Sequence, residues 1–290
     1  MFRRILSAVL VAALSLPVAA RDLTIAGSDL ARAALEPAVA GVVVGEGGVV
    51  RLEMDGSRAG LEALRADRAD LAVLVFSPQQ PLPEMEFRLV PLAYQVAVFA
   101  VNAANPARQL TFGQLAGIFG ENEPTRHRQW GSLGLQGVWA EKSITPNIVS
   151  MRETLTLELF KNTALQVPQL GTTVTVHSNV AEMLRRVQID DMTIGLFPYP
   201  PGETRSIHVL LIARSEREVP FGPTPENVHN GDYPLRLPFY LAFKPERAAE
   251  LAPLLGVLLG DETAAALAKG GFFPVPANAR LELRRGLGLR

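Results

Sequence analysis

The chain has 290 residues, 48% of them hydrophobic and 20% charged, with a formal net charge of −1 and no cysteine. That balance excludes a disordered chain and a basic nucleic-acid binder, and it leaves interior enough for one large domain or two smaller ones. The lack of cysteine excludes disulfides, a thiol nucleophile and a lipid-modified N-terminal cysteine.

Residues 1–20 have the three parts of a secretory signal peptide: Arg3 and Arg4, an apolar core from Ile5 to Leu16, and the small-residue cleavage stretch Pro17-Val18-Ala19-Ala20. The core is shorter than the roughly 20 residues that cross a bilayer, so it reads as cleaved and not as an anchor. No later segment is long and apolar enough to span. Cleavage leaves 26 basic residues against 29 acidic, a balance of −3, in a soluble periplasmic chain beginning near Arg21.

From there strands alternate with helices. Leu23 to Ala26 is a strand, and Gly27-Ser28 opens a helix through Leu30, Ala34 and Leu35. A strand at Val49 to Met54 turns through Asp55-Gly56-Ser57 into a helix carrying Leu61 and Leu64, and Asp70 to Phe76 reads as a buried strand. Gly45-Glu46-Gly47-Gly48 is too short for a dinucleotide loop and reads as a turn. Gln95 to Val101 is a further apolar strand. Thr111 with Gln114, and Ser150 with Glu153, have the capping-box spacing, each ahead of an apolar helical run. Asn179 caps a third helix, and Met192 to Phe197 is the strand after it, with Asp190-Asp191 in the turn between. Strands at His208 to Ile212 and Phe239 to Phe243, then helices at 245–259 and 262–268 stopped by Gly270-Gly271, complete an α/β pattern. The arginine-rich tail Leu281 to Arg290 reads as a solvated end.

Nothing in this order points to an enzyme. There is no G-x-S-x-G elbow, and His127, His177, His208 and His229 have no metal-ligand spacing, so neither a metal nor a cofactor is expected.

Several segments taken together resemble the phosphate-binding proteins of ABC importers, within the type 2 periplasmic-binding-protein (PBP-like) family. They are Gly56-Ser57-Arg58-Ala59-Gly60-Leu61 with Ala69-Asp70-Leu71-Ala72, Val98 to Asn102 with Leu110-Thr111 and Ile118-Phe119-Gly120, and Trp130 to Gly134. Thr193 to Leu196, Pro223 to Val228 with Gly231 to Leu235 and Pro238 to Tyr240, and Gly271 to Val275 follow in the same order. The resemblance implies two α/β lobes joined by a hinge, about 21–101 plus 200–290 and about 102–199, closing on a ligand. It implies an exported, monomeric solute-binding protein that captures phosphate, another oxyanion or another small molecule and delivers it to an ABC permease. The alternative is a domain of this fold that serves as a sensor or a protein-interaction module instead of in transport.

A helix start offers unpaired N–H groups and the positive end of the dipole, so converging starts hold an oxyanion without a metal. The candidate ligand residues are Ser28, Ser57, Arg58, Ser77, Ser150 and Arg152. The departures from the family are in the same place. The family's Ser-Gly-Thr-Arg-Glu run falls on Val149-Ser150-Met151-Arg152-Glu153, which loses two hydroxyls. Its ligand arginine falls on Thr145, and its acidic ligand after the serine falls on Pro78. Hydrogen bonds to a charged group contribute about 1.5 to 3 kcal/mol each. Losing three therefore costs roughly 5 kcal/mol, which takes a micromolar site to near millimolar.

Overall fold

The computed structural model describes residues 21–44, 47–121, 123–150, 155–202 and 205–289. The expected signal peptide, the Gly45-Glu46 half of the expected turn, and Met151, Arg152 and Glu153 lie outside the described residues.

The strands in chain order are β1 (Leu23–Gly27), β2 (Val43–Val44), β3 (Gly48–Glu53), β4 (Leu71–Val75), β5 (Arg88–Val96), β6 (Val98–Asn102) and β7 (Gln109–Thr111). They continue as β8 (Thr145–Val149), β9 (Thr175–His177), β10 (Thr193–Phe197), β11 (Ile207–Val209), β12 (Leu211–Ala213), β13 (Arg236–Phe243) and β14 (Phe273–Pro274). The α-helices are α1 (Arg32–Val39), α2 (Ser57–Arg65), α3 (Phe112–Phe119), α4 (Thr156–Ala164), α5 (Val180–Ile189), α6 (Pro225–Asn230), α7 (Ala248–Leu258), α8 (Asp261–Lys269) and α9 (Ala277–Gly286).

Two main sheets organise them, beside a two-stranded pair of β12 and β7. The larger runs β14-β5-β13-β4-β1-β3-β2, with β3, β1 and β4 parallel because α1 and α2 carry the chain back between them. The smaller runs β11-β6-β10-β8-β9, with β10, β8 and β9 parallel. Strand β4 is an unbroken apolar run because helices and strands cover both its faces, and Leu71 to Leu74 are fully buried. A second core holds the smaller sheet: Phe99, Phe119 and Phe160 sit with ring centroids 5.1 to 5.5 Å apart and tie β6, α3 and α4 together. Among the described residues no single helix is long and apolar enough to cross a membrane.

Three expectations need correction. The strand expected over Gln95 to Val101 is two strands. β5 pairs with β13 and β14 in the larger sheet, whereas β6 pairs with β10 and β11 in the smaller, and between them the Ala97 N–H donates to Leu235 O at 3.0 Å. Residues 96–101 are all fully buried, so no change of polarity marks the switch of sheet. The strand expected over His208 to Ile212 divides in the same way, β11 joining β6 and β12 joining β7. The tail is not a solvated end through its described length. Helix α9 runs to Gly286, Arg280 is buried, and Leu283, Leu287 and Leu289 pack against the core while Arg285 is exposed.

Candidate functional site

In parallel sheets the loops that follow the strands gather at one edge, which is where ligands are received. In the larger sheet that edge carries Ser28 after β1, Ser57 at the start of α2, and Ser77 after β4. Backbone and side-chain bonds lace the three segments together. Ser28 N–H donates to Val73 O at 2.8 Å, Gly56 N–H to Gly27 O at 2.8 Å, and Val75 N–H to Ser57 Oγ at 3.0 Å. Ser28 is buried, and its side chain makes no cap bond to the short turn Asp29–Ala31. Ser57 holds the end of β4 through its oxygen while keeping its own proton to donate. Ser57→Ala should therefore cost about 1 to 2 kcal/mol, read as a fall of a few degrees in thermal unfolding.

Arg58 does not join this edge. Helix α2 packs through Gly60, Ala63 and Leu64, which turns the Arg58 side chain outward, 94% exposed and 3.3 Å from Glu62 on the next turn. Ser77 is also exposed, but its hydroxyl donates to Gln79 Oε1 at 2.6 Å, and Gln79 Nε2 donates in turn to Asn162 O in α4 at 2.7 Å. That bond spans from the larger sheet's edge to a helix of the smaller core. Beside it lies a cavity of about 150 Å³ lined by Val75 to Pro78 and Leu237 on one side and Leu155, Glu158, Leu159 and Asn162 on the other. Among the described residues this lining holds no cation, and nearby Lys161 is paired with Glu158 at 3.1 Å.

On the smaller sheet, Ser150 follows β8, whose other end is Thr145. Ser150 is exposed and its N–H donates to His177 O at 3.0 Å, so that donor is already engaged. Arg152 lies outside the described residues. Helix α4 as described begins at Thr156, with Leu155 as its cap residue, six residues after the serine expected to open it. The structure thus places Ser28, Ser57 and Ser77 on one edge, sets Ser77 opposite the first turns of α4, sets Ser150 on the other sheet, and leaves Arg58 in solvent.

Two groups in this region carry no motif that marks them in the sequence. Gln95, 5% exposed in β5, accepts the Leu155 N–H on Oε1 at 2.9 Å, and Thr156 Oγ1 donates to Val96 O at 3.0 Å. The available signal is one amide inside an apolar strand, which at burial demands a hydrogen-bond partner. Gln79 carries no comparable signal.

The histidines serve other contacts: His127 meets Ser132, His177 meets Asn147, His208 meets Ala107 O and His229 meets Tyr94. Burial holds His127, His208 and His229 below the usual imidazole value, helped at His208 by the charge of Arg108 and at His229 by that of Arg236. The unfolded chain therefore binds protons first. The stability these groups contribute is complete above about pH 6.5 and is lost as pH falls through their lower folded values. Tm should drop between pH 7.5 and 5.5, and His229→Gln should flatten that slope.

No family model matches the chain. The phosphate-binding protein PstS of Pseudomonas aeruginosa is 28% identical over 211 residues, a match that spans 69% of this chain and 64% of that protein. Solved structures agree in fold. A possible phosphate binding protein from Planctomyces limnophilus superposes with a TM-score of 0.66 at 17% identity, covering 92% of this chain and 97% of the other. PstS from Borrelia burgdorferi gives 0.69 at 14% identity, covering 88% and 99%. An ABC-type phosphate transport receptor from Vibrio cholerae gives 0.60 at 19% identity, covering 87% and 99%. The chain therefore has a two-lobed α/β fold of the type 2 periplasmic-binding-protein kind, shared with these phosphate-binding proteins, and is similar in sequence to the phosphate-binding protein PstS of Pseudomonas aeruginosa.

Proposed function

We propose that the chain is a non-enzymatic, exported binding protein that captures a small oxyanion, phosphate foremost, in a cleft between two lobes. The observation that carries this reading is the cavity between the Val75 to Pro78 segment, which brings Ser77 into its lining, and the first turns of α4. Residues 21–101 and 200–290 would make one lobe and 102–199 the other. The pairing of β6 with β10 argues for moving the first crossing from Val101 to Ala97, and the pairing of β11 with β6 and of β12 with β7 for moving the return crossing from Pro200 to beyond Ala213. In this proposal Ser28, Ser57 and Ser77 supply donors from one lobe, and Ser150 with Arg152 from the other. Arg58 would have to leave Glu62 to contribute. Residues 1–20 would direct export to the periplasm, and a monomer would hand its ligand to an ABC permease.

Among the described residues the cavity lining holds no cation, and this sets the expected strength. A site near millimolar, at 10 mM phosphate, gains about 1.4 kcal/mol, a rise of roughly three to five degrees in Tm over chloride at matched ionic strength. Thermal unfolding of residues 21–290, refolded to strip carried ligand, tests this. An equal rise with sulfate would assign a general oxyanion site. No rise with either anion would reject the reading.

A further inference from the structure

A cavity with apolar walls selects for an apolar part of a ligand, whatever the rest of that ligand is. The cavity beside Ser77 has such walls. Val75, Phe76 and Pro78 come from the end of β4 and the turn after it, Leu237 from β13, and Leu155 and Leu159 from the start of α4. Phe76, Leu159 and Leu237 are buried, whereas Ser77, Pro78, Glu158 and Asn162 are exposed, so the space has apolar depth and a mouth open to solvent. Pro78 brings no N–H to that mouth. Among the described residues the one charged side chain in the lining is the Glu158 carboxylate, which repels a second negative group. The charged end of an anion is therefore kept out of the cavity, and an uncharged substituent fits it. An apolar cavity of about 150 Å³ accepts a group as large as benzene.

We propose that the cleft takes an organic oxyanion, a phosphonate or phosphate monoester bearing a short alkyl or phenyl group, with that group seated in this cavity. The proposal rests on the oxyanion reading above and narrows it. The oxyanion end faces the serine-bearing edge outside the cavity, and the substituent reaches toward Leu155 and Leu159. A seated substituent meets walls on both sides of the bond from Gln79 Nε2 to Asn162 O, so affinity grows with the apolar surface it buries and not with its charge.

A homologous series tests this, because the charge is constant along it. Isothermal titration of residues 21–290 with phosphate and with methyl-, ethyl- and propylphosphonate, at one alkaline pH and constant ionic strength, should show affinity rising about fourfold per added methylene. Asn162→Phe places a ring at the mouth and should bring the propyl-to-methyl ratio to near one. Val75→Ala enlarges the cavity and should carry the rise on to butylphosphonate. Each result is a ratio within one variant, so a general change in anion binding does not mimic it, and either variant suffices if the other fails to fold. If phosphate binds and the wild-type series is flat or falls, the proposal fails and the oxyanion reading stands. A rise that the folded variants leave unchanged would seat the substituent elsewhere and also overturn it. A rise along the series with phosphate itself silent would support the organic ligand and displace inorganic phosphate as the foremost one. If neither phosphate nor any phosphonate binds at about 10 mM, both readings fail together. Binding of 1-propanol as tight as that of propylphosphonate would take the oxyanion out of the account and overturn both.

Discussion

Gly27→Ala is expected to lower stability by about 4 kcal/mol, a fall of roughly ten degrees in Tm for a chain of this size. Gly27 ends β1 with φ at +129°, which side-chain-bearing residues rarely adopt. A Cβ there would lie 2.1 Å from Val73 O and 2.8 Å from Val73 N and C. That carbonyl cannot retreat, because it accepts the Ser28 N–H and belongs to β4, held between β1 and β13. From the other side Gly60 of α2 presses in, so closely that its own Cβ would be 2.5 Å from the Gly27 Cα. Backbone strain and overpacking each contribute on the order of 1 to 3 kcal/mol, and here they add because neither neighbour gives way. Gly56 has φ at +107° but open space around it, so Gly56→Ala should show the strain alone, about 1 to 2 kcal/mol. Gly41 is exposed and an added Cβ would meet nothing within 4 Å, so alanine there should be tolerated within about 0.5 kcal/mol. Urea unfolding of the three variants checks the ranking. Equal costs at Gly27 and Gly56 would show that the close approach to Val73 is not what fixes this edge.

The same contacts explain which parts of the molecule could be read in the sequence. Two local signals hold: Thr111 and Gln114 form both halves of their capping box, and Asn179 accepts the Glu182 N–H at 2.9 Å. The alternation from Leu23 to Val75 was legible because α1 and α2 have one apolar face each and β4 has two. What failed depended on partners distant in sequence. The apolar run around Ala97 is uniform, and only pairing with β13 on one side and β10 on the other shows that it changes sheets. Arg58 could be drawn into the cleft by motif position, but the face through which α2 packs decides where its guanidinium goes. Gln95 looked like one polar residue in a strand, and its meaning lies 60 residues away at the Leu155 N–H. Ser28, Ser57 and Ser77 share an edge because parallel strands place their following loops there, whereas Ser150 follows a strand of the other sheet.

The opposite edge of the larger sheet carries the second large effect, expected at Asp70. Asp70→Ala should lower stability by about 3 to 5 kcal/mol while leaving phosphate affinity of the folded protein unchanged. Asp70 precedes β4 at the end remote from the serines, and its carboxylate is nearly buried. Oδ1 takes Arg247 Nη1 at 2.6 Å and Arg21 Nη2 at 2.8 Å, while Oδ2 takes the Thr24 N–H at 2.6 Å. Removing the carboxylate leaves the Thr24 donor and a largely buried guanidinium without this acceptor, although Arg247 keeps Glu250. The partners should rank by exposure. The Arg247 side chain is 16% exposed and the Arg21 side chain 58%, so Arg247→Ala should cost more than Arg21→Ala, which solvent screening holds below about 1 kcal/mol. Salt separates them further: about 0.5 M sodium chloride should erase most of the Arg21 effect and little of the Asp70 effect, because screening reaches exposed pairs and not buried ones. Equal costs for Arg21→Ala and Asp70→Ala would mean that the carboxylate acts only as a surface charge. A drop in phosphate affinity with Asp70→Ala would mean that the two edges of the sheet are coupled, since among the described residues the cluster's hydrogen bonds stay away from the serine-bearing edge.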